Sequence, residues 1–227
     1  QIQTNVHQAF CIIYENNTVA THALNEIKLF LDQKEHDRLL MLPDWETLPY
    51  DHINAHKNII AQRIQTLYRL TQIKNPILVL STVAYGRRYA PRSFILKESF
   101  ICHVGQKMTI ENFRNHMLAK GYHEAREVND IGQFSIRGSI LDMVLTDKKI
   151  SSYRIELFDD EIDSIRYLDI STNRSNQLLE KIHIQPNQEF IIGNESKKTI
   201  QKNINLCPVH LQEKLEKLLE NAEHLQG

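Results

Sequence analysis

Hydrophobic positions along the chain follow a helical period at first and a period of two later, with the change near Phe94. Phe10 to Tyr14 is a short apolar run that predicts a buried strand. Asn17 is placed to cap a helix running through Leu31, with Ala20, Ala23, Leu24, Ile27 and Leu31 at helical spacing. Leu39 to Leu42 predicts a second strand, ended by Pro43. Asn58 to Leu70 predicts a helix with Ile60, Ile64 and Leu67 on one stripe, and Asn75-Pro76 precedes a third strand, Ile77 to Leu80. Strands alternating with helices in this way imply a parallel sheet with covering helices, an α/β layer.

Beyond Phe94, Thr109 caps a helix carrying Ile110, Phe113 and Met117, and Gly121 stands where a glycine ends helices. Period-2 stretches follow at Gln133 to Ile136, Ser139 to Leu145, Tyr153 to Phe158 and Ile165 to Ile170. They predict antiparallel strands turning at Thr146 to Ser152 and at Asp159-Asp160. A strand-like piece at Ile182 to Ile184 precedes an amphipathic helix from about Pro208, with Leu211, Leu215, Leu218 and Leu219 on one face. The expected organisation is an α/β domain over residues 1–98, a small mixed α+β domain with antiparallel strands over 99–175, and a return segment with a C-terminal helix over 176–227.

Composition narrows the class of protein. The 227 residues are 41% hydrophobic and 24% charged, as in ordinary globular chains, and the net charge is −1. No global basic field draws in nucleic acid or an anionic membrane. Cys11, Cys102 and Cys207 lie far apart with no C-x-x-C, which points to free thiols in a reducing compartment and a cytoplasmic setting. No apolar run reaches membrane-spanning length, and the N-terminus lacks both a signal-peptide layout and an initiator Met, as in a piece of something longer.

Several chemistries have candidate residues in the chain. A nucleotide site on an α/β sheet needs a glycine-rich turn ending in Gly-Lys-Ser/Thr, and the seven scattered glycines provide none. The chain is therefore expected not to hydrolyse ATP alone. His52 and His56 have an i, i+4 spacing that chelates zinc on a helix, yet no H-E-x-x-H accompanies them, and surface histidines are the default. Asp159, Asp160, Glu161 and Asp163 form an acidic run suited to Mg²⁺ or, more simply, to a solvated hairpin turn. Trp45 and Tyr50 are expected to pin a Pro-bounded loop to the core, with DNA stacking as the minor reading.

The arginine strands are less ordinary. Gln133, Ser135 and Arg137 share one strand face, and Arg154, Glu156 and Phe158 share another. An aromatic beside an arginine on a polar face is either covered by another element, with Arg154 paired to Glu156 or Asp160, or an interface anchor.

Leu42-Pro43-Asp44-Trp45-Glu46-Thr47-Leu48-Pro49-Tyr50-Asp51 and Gln62-Arg63-Ile64-Gln65-Thr66-Leu67-Tyr68-Arg69-Leu70 resemble the N-terminal module of bacterial transcription-repair coupling factors. The stretches Gly132 to Asp142 and Arg154 to Arg166 are similar to the part that this module shares with the excinuclease subunit UvrB. The resemblance covers roughly Phe10 to Phe190, most of the chain. It implies a degenerate, helicase-like UvrB domain without a nucleotide site, joined to a docking domain for the repair protein UvrA. Carried over by position, the contact residues are Arg137, Arg154 and Phe158. Arg137→Ala or Arg154→Ala is expected to abolish most UvrA binding and leave the melting temperature nearly unchanged.

The same resemblance implies recruitment: a longer parent finds stalled RNA polymerase and moves on DNA with an ATP- and Mg-dependent motor. This chain, holding no cofactor of its own and no catalytic or metal site, presents the UvrB-like surface to UvrA. Two alternatives remain at this point: a fragment of UvrB itself, or a carboxylate-metal hydrolase built on the acidic turn. The stretch between Asp51 and Ile77 is short for the DNA-clamping hairpin of UvrB.

Overall fold

The computed structural model describes residues 8–47, 55–146, 150–190 and 194–224. Tyr50 and His52 lie outside them. The chain divides into two units, Gln1–Glu189 and Phe190–Gly227.

In the first unit, β1 (Phe10–Tyr14) leads into α1 (Asn17–Phe30). The cap stands one residue earlier than the sequence suggests. Asn16 accepts the Val19 amide at 2.9 Å, while the Asn17 side chain donates to Glu46 at 2.9 Å. Buried Ala20 lets the helix sit close on Leu39 and Val79. A 3-10 turn at Gln33–Arg38 feeds β2 (Leu39–Leu42), and α2 (Lys57–Gln72) crosses to β3 (Ile77–Ser81). Both pairings are parallel, in the order β1-β3-β2, so the expected parallel sheet with covering helices is present. Two short helices follow, α3 (Thr82–Tyr85) and α4 (Arg92–Glu98).

Next come β4 (Phe100–His103), α5 (Ile110–Ala119) and β5 (His123–Glu124). Thr109 caps α5 by accepting the Asn112 amide at 3.1 Å, and Gly121 takes φ +82° just past its end. The strands β6 (Gln133–Arg137), β7 (Ile140–Thr146), β8 (Ile150–Phe158), β9 (Glu161–Asp169) and β10 (Arg174–Leu179) then complete a six-stranded sheet. Its order is β10-β9-β8-β7-β6-β5, antiparallel except for the β5–β6 pair, which makes it mixed. Separately, β11 (Lys181–Ile184) pairs antiparallel with β4.

The period of two decides what this sheet buries. Phe134, Met143, Tyr153 and Ile155 point into a core closed by Phe113 and Met117 of α5. The intervening residues face the other way. The strands β7 and β8 run into the predicted 146–152 turn from both sides, because cross-strand pairing extends from Ile140↔Glu156 to Thr146↔Ile150. No apolar alternation announces β4 or β10; their pairing partners, β11 and β9, make them strands.

The second unit holds α6 (Asn194–Asn203), a 3-10 turn at Ile204–Leu206 and α7 (Val209–His224). α7 starts where the sequence places it, with the Pro208 carbonyl accepting the Leu211 amide at 2.8 Å. The polar composition of α6 gives no apolar stripe by which to foresee it. Among the described residues no helix is long and apolar enough to cross a membrane.

One buried ion pair ties the first unit together. Arg63 of α2 is fully buried and grips Glu189 with Nε at 3.2 Å and Nη2 at 3.0 Å, while Nη1 donates to the Pro43 carbonyl at 2.5 Å. The Trp45 indole donates to the same Glu189 carboxylate at 2.9 Å, and the Arg63 guanidinium lies 5.2 Å from the ring centroids of both Trp45 and Tyr89. Trp45 is thus pinned, as its loop composition suggests. Burial pushes the Tyr89 hydroxyl pKa up, partly offset by Arg63.

Removing one partner of such a pair strands the other charge. Arg63→Ala is expected to cost about 3–5 kcal/mol in urea unfolding, read by the fluorescence of the sole tryptophan, Trp45. A loss under about 1 kcal/mol would remove the pair from this role. Burial also pushes the Cys102 thiol up to about 12, whereas Cys11 is exposed. In the native protein Cys11 should react rapidly with a thiol reagent at pH 8 and Cys102 only after unfolding; equal rates would contradict the packing.

Candidate protein-docking site

The outward face of the six-stranded sheet is organised by two tight turns. At Arg137-Gly138-Ser139-Ile140, Gly138 takes φ +61° at the first central position of a two-residue loop, and a Cβ there would meet open space. At Phe158-Asp159-Asp160-Glu161 both aspartates are left-handed, φ 47° and 60°, as a type I′ hairpin requires. Asp163 is the extra residue of a bulge, since Glu156 pairs with Ser164 and Leu157 with Ile162.

Register then sets the outward rows. Ser135, Asp142, Arg154 and Arg166 stand side by side across β6 to β9, and Arg137, Ile140, Glu156 and Ser164 form the next row. One end of this face is covered, for Val144 and Leu168 are buried with Val128, Ile131 and Ala61. The Ser135 hydroxyl donates to the Arg126 carbonyl at 2.9 Å beneath the same cover.

Asp142 is the pivot of the open part. Its side chain is only 3% exposed, and both predicted arginines converge on it. Arg154 donates twice, Nε to Oδ1 at 2.7 Å and Nη2 to Oδ2 at 2.8 Å, and Nη2 also reaches Asn173 Oδ1 at 2.7 Å. The Arg137 Nη2 donates to Oδ2 at 2.5 Å. The Asp142 carboxylate raises the Arg154 pKa above its ordinary value, mainly through these hydrogen bonds.

The two arginines are therefore not equivalent. The Arg154 side chain is 13% exposed and held at both ends, so it is set into the face more than it projects from it. The Arg137 side chain is 41% exposed with one hydrogen bond among the described residues, to Asp142, which leaves most of its donor fork uncommitted there.

Phe158 is the third predicted residue, and it is 70% exposed at the end of β8. The Leu157 amide donates to the Ser139 carbonyl at 2.9 Å, which lays that end of β8 beside the Arg137–Ile140 turn. The local pairing of Arg154 with Glu156 or Asp160 does not form. Glu156 instead accepts from Ser164 at 3.1 Å, and its nearest cation is Arg166 at 3.9 Å. Asp142 was not singled out in the sequence. Its signal was a carboxylate at the outward phase of a strand, but its partners become visible only once the β6-β7-β8 register is known.

The other candidate chemistries take ordinary places. Asp159 and Asp160 are the central residues of the hairpin turn, and Glu161 pairs across it with Phe158. His56 precedes α2 and accepts the Asn58 amide at 3.3 Å. Among the described residues no three His, Cys, Asp or Glu side chains are grouped to hold a metal ion.

The asymmetry at Asp142 has a thermodynamic consequence. Arg154→Ala should lower stability by about 1.5–3 kcal/mol, the range for hydrogen bonds to charged groups, whereas Arg137→Ala should cost under about 1 kcal/mol. Thermal and urea unfolding of both variants checks this, and equal losses would contradict the difference in burial.

With this geometry in place, comparison with known proteins is direct. Residues 101–190, which contain the whole six-stranded sheet, match the model of the UvrB interaction domain. The transcription-repair-coupling factor of Escherichia coli is 33% identical over 166 residues, 73% of this chain and 14% of that protein. Those of Myxococcus xanthus and Haemophilus influenzae are 31% and 28% identical over 81% and 92% of this chain, and 16% and 18% of their own lengths. The chain thus spans under a fifth of the relatives it matches. Neither UvrB itself nor a metal-dependent hydrolase is favoured by these matches. Over this segment the chain belongs to the transcription-repair-coupling factor family and carries that family's UvrB interaction domain at residues 101–190.

Proposed function

We propose that this chain is the UvrA-recruiting module of a transcription-repair-coupling factor in nucleotide excision repair. The observation that carries the reading is the open outward face built on Asp142, with an uncommitted arginine fork and an exposed phenylalanine inside the segment matching the UvrB interaction domain. Arg137 offers charge-assisted, bidentate hydrogen bonds to a carboxylate on UvrA. Arg154 acts chiefly by keeping Asp142 neutralised and the face rigid, so that little side-chain entropy is lost on docking. Phe158 supplies the apolar anchor.

On this reading the chain acts by binding and not by catalysis. The parallel sheet β1-β3-β2 is on this reading the remnant of a UvrB-like helicase domain, whose sequence offers no Gly-Lys-Ser/Thr turn to cradle phosphates. Contacts with RNA polymerase and DNA, and the ATP- and Mg-dependent motor, belong to other parts of the longer protein.

Calorimetric titration of UvrA into the wild-type chain should give micromolar or tighter binding. Arg137→Ala and Phe158→Ala should each weaken it by about 30-fold, the equivalent of about 2 kcal/mol. A folded wild-type chain that binds no UvrA, or variants that bind as tightly as wild type, would contradict the proposal.

A further inference from the structure

Three features of the outward face beyond β8 have no role in the reading above. First, the row that carries Asp142 and Arg154 continues across β9 and β10, because Arg166 pairs with Arg154 on one side and with Leu178 on the other. Second, the Arg166 Nε is buried yet finds no acceptor among the described residues, and its contact with Glu156 at 3.9 Å is too long for a hydrogen bond. Buried donors are nearly always satisfied, so Arg166 is incompletely partnered on a face where its side chain is still 37% exposed. Third, Leu178 is 66% exposed, although its neighbour Leu179 packs against the core on the opposite face.

We propose that the UvrA-docking surface does not end at β8 but continues over β9 and β10, with Arg166 and Leu178 as contact residues. This inference rests on the recruitment reading and extends its footprint. The surface then has two apolar anchors, Phe158 at the open end of β8 and Leu178 at the β10 end of the row that carries Arg154 and Arg166. From β7 to β10 it spans three strand spacings, about 14 Å.

The partner chemistry follows. A carboxylate of UvrA meets the partly exposed Arg166 side chain, and an apolar side chain covers Leu178. Like-charged Arg154 and Arg166 stand directly opposite each other on neighbouring strands. Asp142 neutralises the first, while Glu156 lies at 3.9 Å from the second, so Arg166 is the less compensated cation and the more responsive to an incoming carboxylate. Continuity with Arg137 and Phe158 on the same sheet face, within the segment that matches the UvrB interaction domain, favours one partner for the whole strip.

The test is calorimetric binding of UvrA to Arg166→Ala and Leu178→Ser, alongside Arg137→Ala and a Phe30→Ser control on α1, where Phe30 is 89% exposed. Each of the first two should weaken binding about tenfold or more, with melting temperatures within about 2 °C of wild type, while Phe30→Ser binds normally. If Leu178→Ser proves unstable, Leu178→Gln preserves bulk and serves instead. Normal binding by the Arg166 and Leu178 variants, with Arg137→Ala impaired, would confine the surface to β6–β8 and overturn this extension alone. Unimpaired binding by Arg137→Ala, or no binding by the wild-type chain, would overturn the recruitment reading and the extension together.

Discussion

Glu189 is the residue on which the first unit depends, because one carboxylate satisfies charges and donors from two distant stretches of chain. It neutralises Arg63 on α2 and accepts from the Trp45 indole beyond β2, and the Arg63 guanidinium also donates to the carbonyl of Pro43. A guanidinium with no exposed surface is tolerated only when its donors are met and its charge is balanced. That constraint explains why the strings around Trp45 and Arg63, apart in sequence, act together. It also joins the segment after β11 to the parallel sheet layer, so that α2 lies over the six-stranded sheet with Ala61 against Val144 and Leu168.

The candidate site repeats this logic nearer to solvent. Asp142 balances Arg154 and Arg137, yet here the cluster is open on one side and Arg137 keeps most of its fork free. A closed cluster stabilises and an open one recognises; the difference between Arg63 and Arg137 is exposure, not residue type. The two hairpin turns complete the arrangement. Gly138 and the Asp159-Asp160 pair adopt left-handed backbone; the first turn sets β6 against β7, with Ser135 opposite Asp142, and the second sets Phe158 opposite Glu161 at the open end of β8.

Much of the fold was legible in the sequence where burial imposes a period. The runs at β2 and β3 and the stripe of α2 are apolar because they are buried, whereas β1, expected to be buried, is an edge strand that leaves Phe10, Cys11 and Ile13 exposed. The alternation of Phe134, Tyr153 and Ile155 predicted the core face of the mixed sheet. β4 and β10 were not legible, since their strand character comes from pairing and not from their own residues. At the site, periodicity placed Arg137, Arg154 and Phe158 outward, but it could not tell a projecting arginine from one folded down onto a buried carboxylate. That distinction depends on Asp142 and Asn173, which approach Arg154 only through cross-strand register and a later turn.

The central claim is that the outward face of the six-stranded sheet is where UvrA docks. Amide hydrogen exchange of the chain, alone and with saturating UvrA, tests it most directly. The account predicts added protection at the Arg137–Ile140 turn and at the outward end of β8, extending to β9 and β10, with α1 and the β1 edge unchanged. Protection confined to α1 and β1, with none on the sheet face around Asp142, would contradict it.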